Sequence, residues 1–131
     1  MAAVTIPIKR YNYKKTGEST NQYNGFPPNV ISGALTGEYI TSSDTITIPA
    51  DFKDHKTVFV IVNADSAAKT VTFKAGNSYQ GVKDLAVSAA VGTSIIWLDS
   101  AKFVDKYTGE IKVTTDEATA SKLSMFGYEM R

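Results

Sequence analysis

Between residues 57 and 104 the chain repeats one pattern: a short apolar β-type run, then a turn rich in Gly, Asn or Asp. The runs are Thr57-Val58-Phe59-Val60-Ile61-Val62-Asn63, Thr70-Val71-Thr72-Phe73-Lys74, Asp84-Leu85-Ala86-Val87-Ser88 and Ser94-Ile95-Ile96-Trp97-Leu98. Runs this short, enriched in β-branched and aromatic residues and broken by turn formers, read as strands. No amphipathic helical pattern of about ten residues or more competes with them.

The pattern extends in both directions. Residues 37–41 and 45–48 read as two strands around the turn Ser42-Ser43-Asp44. Ile46 and Ile48 share one face and the threonines the other, as in a half-buried strand. The run 57–63 is apolar on both faces, which predicts a central strand covered on both sides. In the next runs Val71, Phe73, Leu85 and Val87 are expected to point inward, and residues 99–102 to form a short turn of helix. Phe103 and Val104 return to the sheet. A hairpin turn over 107–110 leads to a strand at 111–114, a loop at 116–121 and a last strand at 122–130. About eight or nine strands result, and an all-β chain of such spacing predicts an antiparallel β-sandwich, jelly-roll or immunoglobulin-like in outline.

The N-terminal part reads differently. Residues 3–8 form one extended segment that Pro7 confines to an edge or an irregular pairing. The following stretch to Pro28 is polar and Tyr-rich. Residues 1–35 are therefore taken as an extended N-terminal arm and 36–131 as the sandwich domain. A chain of 131 residues fits one domain and buries enough surface to fold without staples.

Composition limits the chemistry. There is no cysteine, so disulfides, thiolate nucleophiles and Cys-ligated metals are excluded. A net charge of +1 creates no global field for nucleic acid or membrane. No apolar run approaches the roughly 20 residues that span a bilayer, and no secretory signal is expected. Lys9, Arg10, Lys14 and Lys15 nonetheless all precede the first acidic residue, Glu18.

Catalytic signals are weak. His55 is the single histidine and is read as a loop residue, since a triad also needs a nucleophile and an orienting acid. Asp99, Asp105, Glu110, Asp116 and Glu117 could supply a carboxylate pair, but all fall in apparent turns, where solvation and capping explain them. Asp116 with Glu117, or Asp51 with Asp54, could offer oxygens to calcium, without the spacing of an EF-hand. Phosphate-cradling glycine motifs are missing. The reading is a non-enzyme with no catalytic, metal or cofactor site and no cofactor. Trp97, among Ile95, Ile96 and Leu98, is expected in a core or an interface. Tyr11, Tyr13, Tyr23, Tyr79 and Tyr107 sit in the arm or in loops, where amphipathic rings suit protein contacts.

Five stretches carry a family resemblance. They are Phe59-Val60-Ile61-Val62-Asn63-Ala64, Thr70-Val71-Thr72-Phe73-Lys74-Ala75-Gly76-Asn77, Gly81-Val82-Lys83-Asp84-Leu85, Gly92-Thr93-Ser94-Ile95 and Leu98-Asp99-Ser100-Ala101-Lys102-Phe103. With them the chain resembles small bacteriophage head-decoration, or auxiliary capsid (cement), proteins. The resemblance implies a virion structural protein that binds the outer surface of the head and stabilises it. The alternative it leaves open is a receptor- or glycan-binding module of a head fibre or tail appendage. The implied partners are the major capsid protein and neighbouring copies of the chain, as a homo-oligomer such as a trimer, with no nucleic acid and no membrane. The implied location is the capsid surface, after synthesis in the host cytoplasm. Capsid contact is expected of Lys9, Arg10, Tyr11, Tyr13, Lys14, Lys15, Tyr23 and Phe26.

Overall fold

Alternation of side chains along a strand leaves each strand one face to bury, and two sheets that bury facing sides against each other satisfy this pattern. That is the arrangement found in a computed structural model of the chain, which describes residues 2–9, 37–49, 56–77, 83–99 and 102–129. Ten strands are present among the described residues: β1 (Ala3–Thr5), β2 (Ile8–Lys9), β3 (Glu38–Ile40), β4 (Thr45–Pro49), β5 (Lys56–Asn63), β6 (Lys69–Phe73), β7 (Leu85–Ala89), β8 (Gly92–Asp99), β9 (Glu110–Thr115) and β10 (Leu123–Glu129). One sheet has the order β1-β4-β9-β6-β7. The other runs β2-β10-β5-β8, with β3 also pairing β10. The protein is all-β and two-sheeted.

The inward faces form one core. Ile46 and Ile48 of β4, Val71 and Phe73 of β6, and Ile111 and Val113 of β9 meet Phe59 and Ile61 of β5, Leu98 of β8, and Leu123 and Met125 of β10. Phe59 and Phe73 join the layers, with ring centroids 5.6 Å apart. Phe103 closes the row, 6.4 Å from Phe73 in an edge-to-face contact. Buried aromatic pairs of this kind contribute about 0.5–1.5 kcal/mol beyond their area.

Several expectations are corrected. The segment 3–8 is not one strand. The chain switches sheets at Ile6-Pro7, so β1 pairs β4 and β2 pairs β10, both in parallel. Ile6 at the crossing is fully buried, its N–H bonded to the Thr47 carbonyl, while the Pro7 carbonyl accepts from Gly127. Pro7 has no N–H to give a ladder, which is why the break falls there. Residues 3–9 are thus sheet strands, and 10–35 of the expected arm lie outside the described residues. Leu85 was expected inward, but at the start of β7 it is exposed, while Ala89 at the other end is buried. Asp99 ends β8 as a strand residue, while of the helical turn expected over 99–102 residues 100 and 101 lie outside the described residues and Lys102 is in a 3-10 turn.

Two local devices close one end of the molecule. Ala90 and Val91 carry the chain from β7 in one sheet to β8 in the other, and Gly92 takes φ +106° at this corner, a value that only glycine adopts freely. Asn63 is buried beside the corner. Its Nδ2 donates to the carbonyls of Ala67 and Ala89, each at 3.0 Å, and its Oδ1 accepts from the Asp65 N–H at 2.8 Å.

At Gly127 the close approach of β10 to the core excludes a side chain. A Cβ there would stand 2.7 and 2.8 Å from two carbons of the buried Phe59 ring. Gly127→Ala is expected to destabilise the fold by about 1–3 kcal/mol through overpacking. Urea unfolding should show a lower midpoint with an unchanged slope.

Candidate interaction surface

β5 is apolar on both faces, and only one of them is spent on the core. Phe59 and Ile61 point inward, so Val58, Val60 and Val62 point outward. The ladders place further apolar groups beside them. Trp97 lies opposite Val58 and Ile95 opposite Val60 on β8, while Tyr128 and Phe126 flank the same two valines on β10. Ser124 lies between Val62 and Tyr39 of β3. Exposure rises across this face. Val58 and Phe126 are buried and Val60 is half-buried, whereas Trp97 is 61% and Ile95 68% exposed. The expected covering of both faces of β5 is therefore only partial, and Trp97 is on the surface and not in the core.

No charged residue occurs over 57–63, 92–98 or 123–128. At strand spacings near 4.8 Å and two-residue steps near 6.8 Å, the patch measures about 14 by 14 Å, or roughly 200 Å². Its edge is also unusual. Among the described residues β8 pairs only with β5, and it runs for eight residues. The other edge strands β1, β2, β3 and β7 have three, two, three and five residues. Folded proteins blunt edges with short strands, Pro or Lys, and residues 92–98 of β8 use none of these.

Of the acidic residues read as turn formers, Asp99 and Glu110 lie instead at the ends of strands β8 and β9, and those in turns have the expected work, with one exception. Asp105 accepts from the N–H groups of Tyr107 and Thr108 and from Asn77. Asp116 accepts from the Thr70 N–H, and Asp44 from that of Thr41. Asp84 pairs with Lys74 at 2.6 Å and accepts from the Ala75 N–H at 2.7 Å. Glu117 is the exception: it is buried, not solvated. A depression of about 100 Å³ lined by Lys74, Asn77, Asp105, Glu110 and Lys112 is small beside the roughly 300–1,000 Å³ of ligand pockets. Among the described residues no three His, Cys, Asp or Glu side chains gather as a metal site.

Most of the expected contact residues fall elsewhere. Arg10, Tyr11, Tyr13, Lys14, Lys15, Tyr23 and Phe26 lie outside the described residues, as do His55, Asp51, Asp54 and Tyr79. Lys9 is placed by its backbone in β2, opposite Tyr128. Sequence reading missed Ile95, Val62 and Tyr39 as surface groups. The signal was present in the double-faced apolarity of β5 and in the Ile95-Ile96-Trp97 run, which places two large groups on opposite faces of an edge. Tyr107 is exposed in its turn, with the Lys106 ammonium 5.2 Å from its ring centre.

Compared with protein-family models, with curated proteins and with solved structures, the chain gives no match.

Exposure of Trp97 is expected to give a red-shifted emission maximum and ready quenching by acrylamide, while Ile95→Lys should change stability by no more than about 0.5 kcal/mol in urea titration. The turns have a pH signature. Backbone N–H donation from Tyr107, then the Asn77 amide and the Thr108 N–H, hold Asp105 below its ordinary value; the Lys74 bond, then the Ala75 N–H, do the same for Asp84. A folded value below the unfolded one adds stability above the ordinary carboxylate range, lost as pH falls through the folded value. Asp105→Asn should flatten the acid limb of a plot of Tm against pH.

Proposed function

We propose that the chain is a bacteriophage virion structural protein, a decoration (cement) protein that binds the outer surface of the head through its major capsid protein and stabilises it. The observation that carries this reading is the uncharged, aromatic outer face over the central rows of β3-β10-β5-β8, with Trp97 and Ile95 exposed on it. Such a surface suits adhesion, because its contacts need no charge pairing and aromatic anchors carry interface energy. The resemblance of residues 57–104 to the head-decoration family supports the same assignment. In this reading the two sheets form a β-sandwich of jelly-roll or immunoglobulin-like type.

Size sets the division of labour. A standard interface buries about 800 Å² on each partner, so a patch of roughly 200 Å² supplies an anchoring centre and not the whole contact. The remainder is assigned to the cationic, Tyr-rich stretch of Arg10, Tyr11, Tyr13, Lys14, Lys15, Tyr23 and Phe26, with Lys9 at its start. These groups suit an acidic capsid surface. Contacts between neighbouring copies would add further area on the head.

Co-sedimentation with phage capsids stripped of accessory proteins tests the assignment. Wild-type protein is expected to bind saturably. Trp97→Ala and Ile95→Lys should each weaken binding by about 10-fold or more, as anchors at an interface centre do. Lys14→Glu with Lys15→Glu should weaken it chiefly at low salt, where exposed charges act. Failure of the wild type to bind at any salt concentration would refute the proposal. A second reading, a glycan- or receptor-binding module of a head fibre or tail appendage, draws on the exposure of both Trp97 and Tyr107. Retention on immobilised host glycans, lost in Tyr107→Ala, would favour it.

A further inference from the structure

Residues 2–9 form a strap that belongs to both sheets. β1 adds to the side of β4 and β2 to the side of β10, each with one ladder partner among the described residues. Ala3, Val4 and Thr5 lie opposite Thr45, Ile46 and Thr47, and Ile8 and Lys9 opposite Gly127 and Tyr128. Three further backbone bonds, each 2.8 Å, fix the register: Ile6 N–H to the Thr47 carbonyl, Thr45 N–H to the Ala2 carbonyl and Gly127 N–H to the Pro7 carbonyl. Ile6 is 0% exposed at the crossing, and Val4 and Ile8 pack beside it against the core. The strap thus has a specific seat, made of two sheet edges and a socket for one side chain.

Its hold on that seat is local. β5 is paired over seven residues of β10 and eight of β8, whereas the strap is paired over three and two. Both of its ladders lie at edges, so it leaves without parting any other pair of strands.

The tether behind it is long. The chain leaves the strap at Lys9, opposite Tyr128, and returns at Glu38, opposite Met125. Three residue steps along β10 separate these points, about 10 Å. Yet 27 residues, 10–36, lie outside the described residues between them, where about 4–6 residues are usual. A stretch of that length reaches up to about 90 Å when extended, and a folded chain of 131 residues is roughly 35 Å across.

We propose that the strap is exchanged between copies: residues 2–9 of one chain complete the β4 and β10 edges of a second copy, with Ile6 in that copy's socket. The seat asks for apolar groups at Val4, Ile6 and Ile8 and a break in donors at Pro7, and an identical chain supplies all of them. The exchanged strap makes the same bonds as its own would, so the two arrangements differ only in the path of the tether. Reciprocal exchange closes a two-fold dimer, and exchange passed on in one direction closes a ring or links copies in a row. A flexible tether holds its strap at a millimolar effective concentration, so dilute protein keeps its own strap and close-set copies trade theirs. The inference does not rest on the capsid assignment. On a head it would link neighbours while leaving the outer face of β5 and β8 clear.

A chain without cysteine suits disulfide trapping. Thr5 and Thr47 are register partners on strands about 4.8 Å apart, within the Cα separation that a disulfide spans. Thr5 is exposed and Thr47 half-buried, so neither change touches the core. Thr5→Cys mixed with an equal amount of Thr47→Cys under mild oxidation is expected to give a disulfide-linked heterodimer, its yield rising with concentration until it is the main product near 1 mM, about the effective concentration of the tether. The double variant at micromolar concentration should close within one chain. Thr5→Cys mixed with Ser66→Cys, on an exposed turn that no ladder brings to the strap, should stay unlinked. The unaltered protein gives a second readout: light scattering near 1 mM should show dimers or larger species that return to monomer on dilution. Absence of the heterodimer at every concentration overturns the proposal, and so does an equal yield with Ser66→Cys, which would mean random collision. Dimers of the unaltered protein without that heterodimer overturn it as well, because the copies then meet at another surface.

Discussion

A strand that is apolar on both faces cannot satisfy both in a fold of two layers. β5 is such a strand, and it sits second from the edge of its sheet with β10 and β8 beside it. Phe59 and Ile61 are covered by the opposite sheet, with Phe59 against Phe73 at the centre. Val58, Val60 and Val62 are left on the outside, and the antiparallel register places Trp97, Ile95, Phe126 and Tyr128 around them. The same constraint that builds the core therefore leaves an apolar face outside it. Val58 and Phe126 are themselves buried on this face, so part of its apolar area serves the fold; Trp97 and Ile95, 61% and 68% exposed, do not.

Strand positions were legible because their signal is local. Period-2 alternation at 45–48 and 70–74, and turn residues at 42–44 and 107–110, mark elements without knowledge of their neighbours. Layer assignment is not local. Pro7 announces a break in pairing but does not say that the chain crosses to the other sheet, and parallel pairing of β1 and β2 depends on partners about 40 and 120 residues away. Trp97 shows the same limit. Its apolar neighbours suggest burial, yet its face is decided by the register of β8 on β5, which puts Leu98 and Ile96 inward and Trp97 out.

Glu117 was misread for a related reason. An acidic residue in a loop is ordinarily solvated, and nothing in Asp116-Glu117-Ala118 departs from that pattern. Its burial follows from three loops converging at the end where Asn63 and Gly92 turn the chain between sheets. The signal that exists in sequence is indirect: the 116–121 loop follows a strand whose last residue, Thr115, bonds back to Thr70 through its hydroxyl and so draws the loop over the β5–β6 turn.

The molecule divides its rigidity unevenly. Asn63 has three hydrogen bonds, all internal, and their strength does not vary with pH in the range where carboxyls titrate. Glu117, fully buried in the loop between β9 and β10, is held on its side chain by one backbone donor, the Thr119 N–H at 2.9 Å. The outer face of β5 and β8 likewise contains no ionisable group over its central rows, so contacts of the proposed kind made there would be indifferent to pH.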